Sequence, residues 1–432
     1  MFLLLCISIF LFTCNAANPR CKDENNQVVD WYVLYKLPKV SESSNPMIRN
    51  GTAYLYMTNN TVAEGWQLST KKISAKNSIP GNTLASLYKD SIASKTFWVL
   101  YNDDPPNRST NAKYGHTKGA VMTNKQEGFW LIHSVPNYPP IPNSGNDTRQ
   151  GQVNSTLGNR SEYDYPTSGM NYGQSFLCIS VDDDQFDLIG RQLMYNQIIA
   201  YRRNIPAAFA ATFPVLTNAA NQKRIRQAPF ISKTLLKSSG GVEFVSFAKS
   251  DKWQKDLYEE FVAPMLKTDL FAETWLNGRG RLPSDCKQVK VYNIMTIHLA
   301  PVNIDFKSSR DHSKWVVAVE GKANQTWTCI GDINRADTQY IRGGGTVCFN
   351  NQKVWNNYRK AVNDVEPCPK QYGVRDSQKP EIHYNDDGRF FLGSSKPTCC
   401  LNTATIDQPS SEELARALVA SCWLRTLLIP LF

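Results

Sequence analysis

Several familiar catalytic devices are missing from this 432-residue chain. No Cys-x-x-Cys occurs, which excludes zinc ribbons and thioredoxin-like redox chemistry. His-Glu-x-x-His, a phosphate-binding P-loop and paired carboxylate clusters are also missing, so no metal and no cofactor is implied. Histidine is scarce: only His116, His133, His298, His312 and His383 are present. Long apolar runs are confined to the two ends. The N-terminal run stops at Phe12 and is too short for a comfortable membrane span. The C-terminal run has a length that would suit a lipid-anchor signal, but Arg425 interrupts it. No stable membrane span is therefore expected.

What is present bounds the class. With 41% hydrophobic and 11% aromatic residues the chain can bury a sizeable core, and disorder is excluded. Its length suits two domains, or one large domain built from two similar halves. The formal charge of +10 favours polyanionic partners, with solubility alone as the plainer reading. Residues 1–17 read as a secretory signal peptide: an apolar run, then small residues around Cys14-Asn15-Ala16-Ala17, without the usual basic n-region. Cysteine usage agrees with an oxidising lumen. Cys21, Cys178, Cys286, Cys329, Cys348 and Cys368 form an even set, which suggests three disulfides among fifteen possible connectivities. Sequons at Asn50, Asn59, Asn107, Asn146, Asn154, Asn159 and Asn324 fit a lysosomal or secreted glycoprotein.

In chain order, 28–37 and 53–57 read as strands, 82–92 as a short helix and 97–101 as a strand stopped by Asp104-Pro105-Pro106. Residues 116–135 read as a hairpin, 136–172 as an exposed loop rich in sequons, and 174–181 as a strand. Asp182-Asp183-Asp184 opens a helix that its acids cap; the spacing matches no metal loop. The polar, basic stretch 217–240 reads as a linker, giving an N-terminal half at 18–216 and a C-terminal half at 241–368. The second half repeats strands at 242–248 and 289–299, helices at 253–266 and 354–362, and a hairpin at 312–333. A turn-like glycine run lies at 342–346, and 369–432 is a tail of unknown role.

The two hairpins carry the informative pattern. His116-Thr117-Lys118 is followed by an apolar run, Trp130 and, seven residues on, Asn137. His312-Ser313-Lys314 is followed by another such run, Trp327 and, seven residues on, Asn334. Ordinary hairpins in a duplicated fold explain the apolar pattern and the tryptophans. They do not explain why His, Lys and Asn recur together. On an extended strand residues i and i+2 share a face, so each His and Lys project together. Two such pairs facing each other suit phosphodiester cleavage. Lysines neutralise the non-bridging oxygens, one imidazole attacks phosphorus, and the other protonates the leaving oxygen. One imidazole must be neutral and one charged, so activity is expected to peak at mildly acidic pH.

The stretches Asp30-Trp31-Tyr32-Val33-Leu34-Tyr35-Lys36-Leu37-Pro38, Tyr101-Asn102-Asp103, Gly115-His116-Thr117-Lys118-Gly119 and His133-Ser134-Val135-Pro136-Asn137 closely resemble the deoxyribonuclease II family. So do Tyr172-Gly173-Gln174, Asp311-His312-Ser313-Lys314-Trp315 and Gly331-Asp332-Ile333-Asn334-Arg335, and the likeness covers roughly residues 21–368. The resemblance implies a pseudo-dimeric phospholipase D-like α/β fold, two similar halves each with a β-sheet flanked by helices around a DNA-holding cleft. It implies an acid, metal-independent endonuclease of lysosomes or secretions with DNA as substrate, leaving 3′-phosphate and 5′-hydroxyl ends. Carried over, His116, Lys118, His312 and Lys314 are the catalytic set, and the disulfides are Cys21–Cys178, Cys286–Cys368 and Cys329–Cys348. The wider superfamily has Asp five residues after each Lys; here Thr123 and Val319 stand there, so what orients each imidazole is open. Asn137 and Asn334 are candidates to bind phosphate or hold the lysines. His133 is a candidate for the substrate site beside His116, and His298 reads as a core residue. The alternative function is a secreted nucleic-acid-binding or host-interaction protein that keeps the fold without turnover. A phospholipase follows only from the distant superfamily kinship.

Overall fold

The computed structural model describes residues 18–106, 109–143, 146–147, 162–369, 382–384 and 390–392. The expected signal peptide, the sequons at Asn107, Asn154 and Asn159, and nearly all of the tail lie outside the described residues. The body of the chain ends at Pro369. Beyond it, Ile382–Tyr384 pairs with Phe390–Leu392 as a short antiparallel ladder.

The first sheet is built from β1 (Trp31–Lys36), β2 (Tyr54–Thr58), β3 (Gln67–Leu68), β4 (Phe97–Asn102), β5 (Lys118–Thr123), β6 (Glu127–His133), β7 (Asn146–Asp147), β8 (Gln174–Asp182) and β9 (Ala200–Asn204). Their spatial order is β3-β2-β1-β8-β6-β5-β4-β9-β7. The second sheet holds β10 (Ile231–Lys237), β11 (Glu243–Lys249), β12 (Leu270–Glu273), β13 (Val291–Leu299), β14 (Ile304–Lys307), β15 (Trp315–Ala318), β16 (Trp327–Gly331), β17 (Gly344–Asn350) and β18 (Val362–Val365). It runs β10-β11-β17-β16-β15-β12-β13-β14, with β18 also on β13. The two orders contain the same motif: β8-β6-β5-β4 in one and β17-β16-β15-β12 in the other, each antiparallel throughout.

Alternation along the strands explains how the sheets pack. In β1, Trp31, Val33 and Tyr35 enter a core shared by the two sheets, while Tyr32 and Leu34 enter a separate core on the outer face. In β6, Trp130 and Ile132 point to the shared core, and Phe129 and Leu131 point outward. The second sheet does the same: Trp315 and Val317 face the shared core, and Val316 and Cys329 its own outer core. Such two-sided burial favours apolar residues on both faces, which is why β1, β4 and β6 read as nearly unbroken apolar runs. The helices Phe186–Asn196 and Gln352–Ala361 add Ile189 and Leu193, and Val354 and Tyr358, to the shared core. Among the described residues no helix is long and apolar enough to cross a membrane.

Some expectations need correction. Residues 217–240 are not simply a linker, since β10 lies within them and pairs with β11 along its full length. It is an edge strand that buries only Leu236, so its alternation is weak in the sequence. The early helix begins at Ile79, not 82: Ser78 is its N-cap and Pro80 sits in its first turn. His298 is not a core residue. It lies on the outward positions of β13, and its Nδ1 meets Asp305 at 2.9 Å.

The disulfides join Cys21 to Cys178, Cys286 to Cys368 and Cys329 to Cys348, the pairs that the resemblance implies. The first closes 157 residues of chain and ties the N-terminal segment to β8. Replacing Cys21 and Cys178 together with Ser should lower unfolding stability by about 2–5 kcal/mol. Denaturant titration reads this; an unchanged midpoint would show that the bridge contributes no constraint.

Candidate active site

Each His-x-Lys lies at the entry to a strand, with the lysine at or just before its first residue. Lys118 opens β5, and Lys314 precedes β15 by one residue. His116 therefore sits two residues and His312 three residues ahead of its strand, not within it as the alternation argument expects. Their placement comes from the opposite half. The His116 amide donates to the Gly343 carbonyl at 2.9 Å, and the His312 amide donates to the Gly173 carbonyl at 2.9 Å. Gly343 and Gly173 occupy matching positions, each immediately before the strand β17 or β8. Close approach demands glycine here. A Cβ on Gly115 would lie 1.6 Å from the Asn196 carbonyl oxygen, and one on Gly173 would lie 2.3 Å from Asp311 Oδ1.

The imidazoles are held the same way. His116 Nδ1 bonds the backbone carbonyl of Asp332, which follows β16 in the second half. His312 Nδ1 bonds the backbone carbonyl of Ser134 at 2.9 Å, which follows β6 in the first half, and also lies 3.3 Å from Gln174 Oε1. A carbonyl only accepts, so each Nδ1 carries the proton and each Nε2 is left for chemistry. Among the described residues neither Nε2 has a hydrogen-bond partner. These crossed bonds do the orienting work that an Asp would do at Thr123 and Val319.

The lysines are buried among compensating acids. Lys118 Nζ pairs with Asp103, whose other oxygen accepts from Arg342 Nη2 at 2.8 Å. Arg342 comes from the second half and also donates from Nε to the Tyr114 carbonyl at 2.9 Å. Burial alone would raise the Asp103 carboxyl, but Lys118, His116 and Arg342 together hold it well below the carboxylate range. Lys314 Nζ donates to the His312 carbonyl, and burial, with Lys118 nearby, pushes its ammonium down to about 7. Asp311 braces the second motif: it accepts from Tyr35 Oη and from the amide and hydroxyl of Ser313. Both imidazoles are pushed well below their ordinary value. For His116 the causes are burial and Lys118, with Asp103 opposing; for His312 they are the surrounding protein, Lys314 and Lys118. His116 also feels Lys314, and His312 also feels His116, so the two pairs form one electrostatic cluster.

Of the three other sequence candidates, one is buried away from the cluster and two pin loops beside it. His133 is fully buried between Tyr138 and Phe176, with ring centroids 5.0 and 5.8 Å away, and cannot touch a substrate there. Its place on β6 turns it to the outer core. Asn137 and Asn334 do not hold the lysines. Asn137 donates to the Asp104 and Pro105 carbonyls at 3.1 and 3.3 Å, and Asn334 Oδ1 accepts from the Trp275 amide at 3.3 Å. Each pins the loop leaving β4 or β12. The residues that sequence reasoning left without a role are Asp103, Ser134, Asp311, Asp332 and Arg342. All but Arg342 lie inside the stretches that carry the family likeness, which was the available signal. Among the described residues no three His, Cys, Asp or Glu side chains gather to hold a metal ion.

Comparison with known proteins gives a family. The deoxyribonuclease II model matches residues 20–368. The chain belongs to the deoxyribonuclease II family. Plancitoxin-1 of Acanthaster planci is 36% identical over 351 residues, 81% of this chain and 92% of that relative. Deoxyribonuclease-2-beta of Homo sapiens is 36% identical over 358 residues, 82% and 92% of the two chains. Cell death-related nuclease 6 of Caenorhabditis elegans is 35% identical over 361 residues, 81% and 90%. The deoxyribonuclease II match spans both His-x-Lys motifs and every residue of the cluster described above.

Asp332 makes the cluster sensitive to pH in a testable way. Burial pushes its carboxyl up to about 7 from 3.8, against the pull of Lys118. Between those values only the folded protein holds the proton, so this group's stabilising contribution is full below 3.8 and is lost as pH rises through about 7. The neutral, isosteric Asp332→Asn should flatten that loss relative to the parent. Melting temperatures across pH 4 to 8 check it, and parallel curves for the two proteins would refute the assignment.

Proposed function

We propose that this protein is an acid endodeoxyribonuclease that hydrolyses DNA phosphodiester bonds without a metal ion. The observation that carries the reading is the crossed anchoring: each imidazole is aligned by a carbonyl of the other half, and both Nε2 atoms are left unengaged. The family supplies the deoxyribonuclease class of hydrolase, and the duplicated sheet motif supports a pseudo-dimeric phospholipase D-like arrangement with half-boundaries near 18–216 and 241–368.

In the proposed reaction one neutral imidazole attacks phosphorus through Nε2. The P–O5′ bond breaks, and the protonated partner imidazole gives its Nε2 proton to the departing oxygen, forming the 5′-hydroxyl end. The 3′ side remains as a phosphohistidine. Water, deprotonated by the partner imidazole, then breaks the P–N bond and leaves a 3′-phosphate. Lys118 and Lys314 neutralise the equatorial oxygens as charge builds. The lowered imidazoles fit acid activity: one of them gains its proton only at low pH or when the anionic phosphodiester binds. Asp103 and Arg342 position Lys118 and do not themselves react. Three disulfides support folding in an oxidising compartment, consistent with a lysosomal or secreted site of action.

Plasmid digestion at about pH 5 with EDTA present is the direct test, the pH being set by imidazole titration. Cleavage is expected, with products that are substrates for ligation only after 3′-dephosphorylation and 5′-phosphorylation. Each of His116→Ala and His312→Ala should lower kcat by at least about 100-fold. Intact plasmid would refute the nuclease reading, and full activity in His312→Ala would refute the shared site.

A further inference from the structure

The duplicated scaffold allows the surroundings of the two histidines to be compared position by position. Tyr101 opposes Gly119 in the first sheet, and Glu273 opposes Trp315 in the second. Gly119 and Trp315 each lie three residues after their histidine, so Tyr101 matches Glu273. Two residues further on, Asp103 matches Trp275. Gly173 and Gly343 match through their bonds to the histidine amides. The residues just before them, Tyr172 and Arg342, therefore match as well.

At one end of the site these matched positions hold an ion pair, Asp103 with Arg342, beside His116. At the other they hold an aromatic pair beside His312. The Trp275 ring lies 5.2 Å from the His312 ring, and the Tyr172 ring lies 4.8 Å from that of Trp275, both edge-to-face. Each half contributes one ring. Both rings are partly exposed, whereas Trp31, Trp98, Trp130 and Trp315 are almost fully buried. A core role does not account for two adjoining aromatic rings at the mouth of a polar, cationic cluster. The Trp275 amide is pinned by Asn334, so the ring is presented on a fixed backbone.

We propose that the Trp275 ring, braced edge-on by Tyr172, forms a stacking platform for one nucleobase next to the scissile phosphate, on the His312 side of the site. The proposal rests on the nuclease reading for its substrate and adds what that reading leaves open: the two ends of a symmetric scaffold are made unequal. At the matched positions of the other end stand an aspartate and an arginine and no ring, so the scaffold presents a ring at these positions on the His312 side alone. Every nucleobase has a π-face, so the platform selects for an unstacked base without selecting its identity. In a duplex substrate one base leaves the stack to reach it.

Binding separates this from turnover. The full chain carrying His116→Ala is titrated with a fluorescent single-stranded oligonucleotide. A matched set, each with one abasic residue at successive positions, is titrated in parallel. Removing one base, at one position, should weaken binding about 5- to 150-fold, the range that base–aromatic stacking commands. Adding Trp275→Ala should impose a similar loss on the intact oligonucleotide and make binding indifferent to the abasic site, while Trp275→Phe should retain most of the base preference. Tyr172→Ala should lower the preference in the same direction. Correct folding of each variant is established by its melting temperature. An unchanged ratio between intact and abasic oligonucleotides in Trp275→Ala would overturn the platform. A chain that binds with the expected ratios but cleaves no DNA when His116 is restored would overturn the nuclease reading alone.

Discussion

The site depends on a pair of reciprocal hydrogen bonds between backbone and imidazole. Each half of the protein lends a carbonyl to the other half's histidine, Asp332 to His116 and Ser134 to His312. A second reciprocal pair fixes the histidine amides on Gly343 and Gly173. These four contacts set both tautomer and direction without any carboxylate on the imidazole. Backbone acceptors have a consequence for electrostatics. An ionised carboxylate at Nδ1 would raise the imidazole strongly, whereas a carbonyl raises it little, and burial, with the neighbouring lysines, then dominates. The low proton affinity of both rings follows from that choice of partner.

Charge inside the site is balanced across the same interface. Asp103 accepts from Lys118 of its own half and Arg342 of the other, and separating the halves would leave a buried carboxylate with one cation too few. Breaking such a pair is costly, of order 3–5 kcal/mol, because the remaining charge stays desolvated. The shared apolar core and the shared ions thus hold the halves together for different reasons: the first by area, the second by the penalty for leaving a buried charge short of its partner. Glycine at 115, 173 and 343 lets the backbones approach closely enough for both.

Much of this was legible in the sequence, and the omissions have physical causes. Local periodicity located most strands, and the recurrence of His, Lys and Asn located the two motifs. The likeness to the family carried the disulfide pairs. What local reading could not reach were partners 178 to 239 residues away, such as Ser134 with His312 and Asp103 with Arg342. His133 misled because proximity along a returning strand says nothing about which face of the sheet a side chain takes. Asn137 and Asn334 recur in matching places, each pinning the loop that leaves β4 or β12. The edge strand β10 was hidden because one buried residue leaves little alternation to read.

The crossed bonds also give the protein an order of completion. During synthesis the His116 motif leaves the ribosome long before its acceptor, since Asp332 lies 216 residues downstream. Until that segment arrives, the first imidazole has no fixed direction and Asp103 lacks its second cation. A partial chain, however well its first sheet has formed, holds one His-x-Lys pair of the two and lacks the carbonyl that aims its imidazole. The cluster is complete only once the segment carrying Asp332 and Arg342 has closed onto the first half. The site is thus a property of the nearly finished chain and of no shorter piece of it.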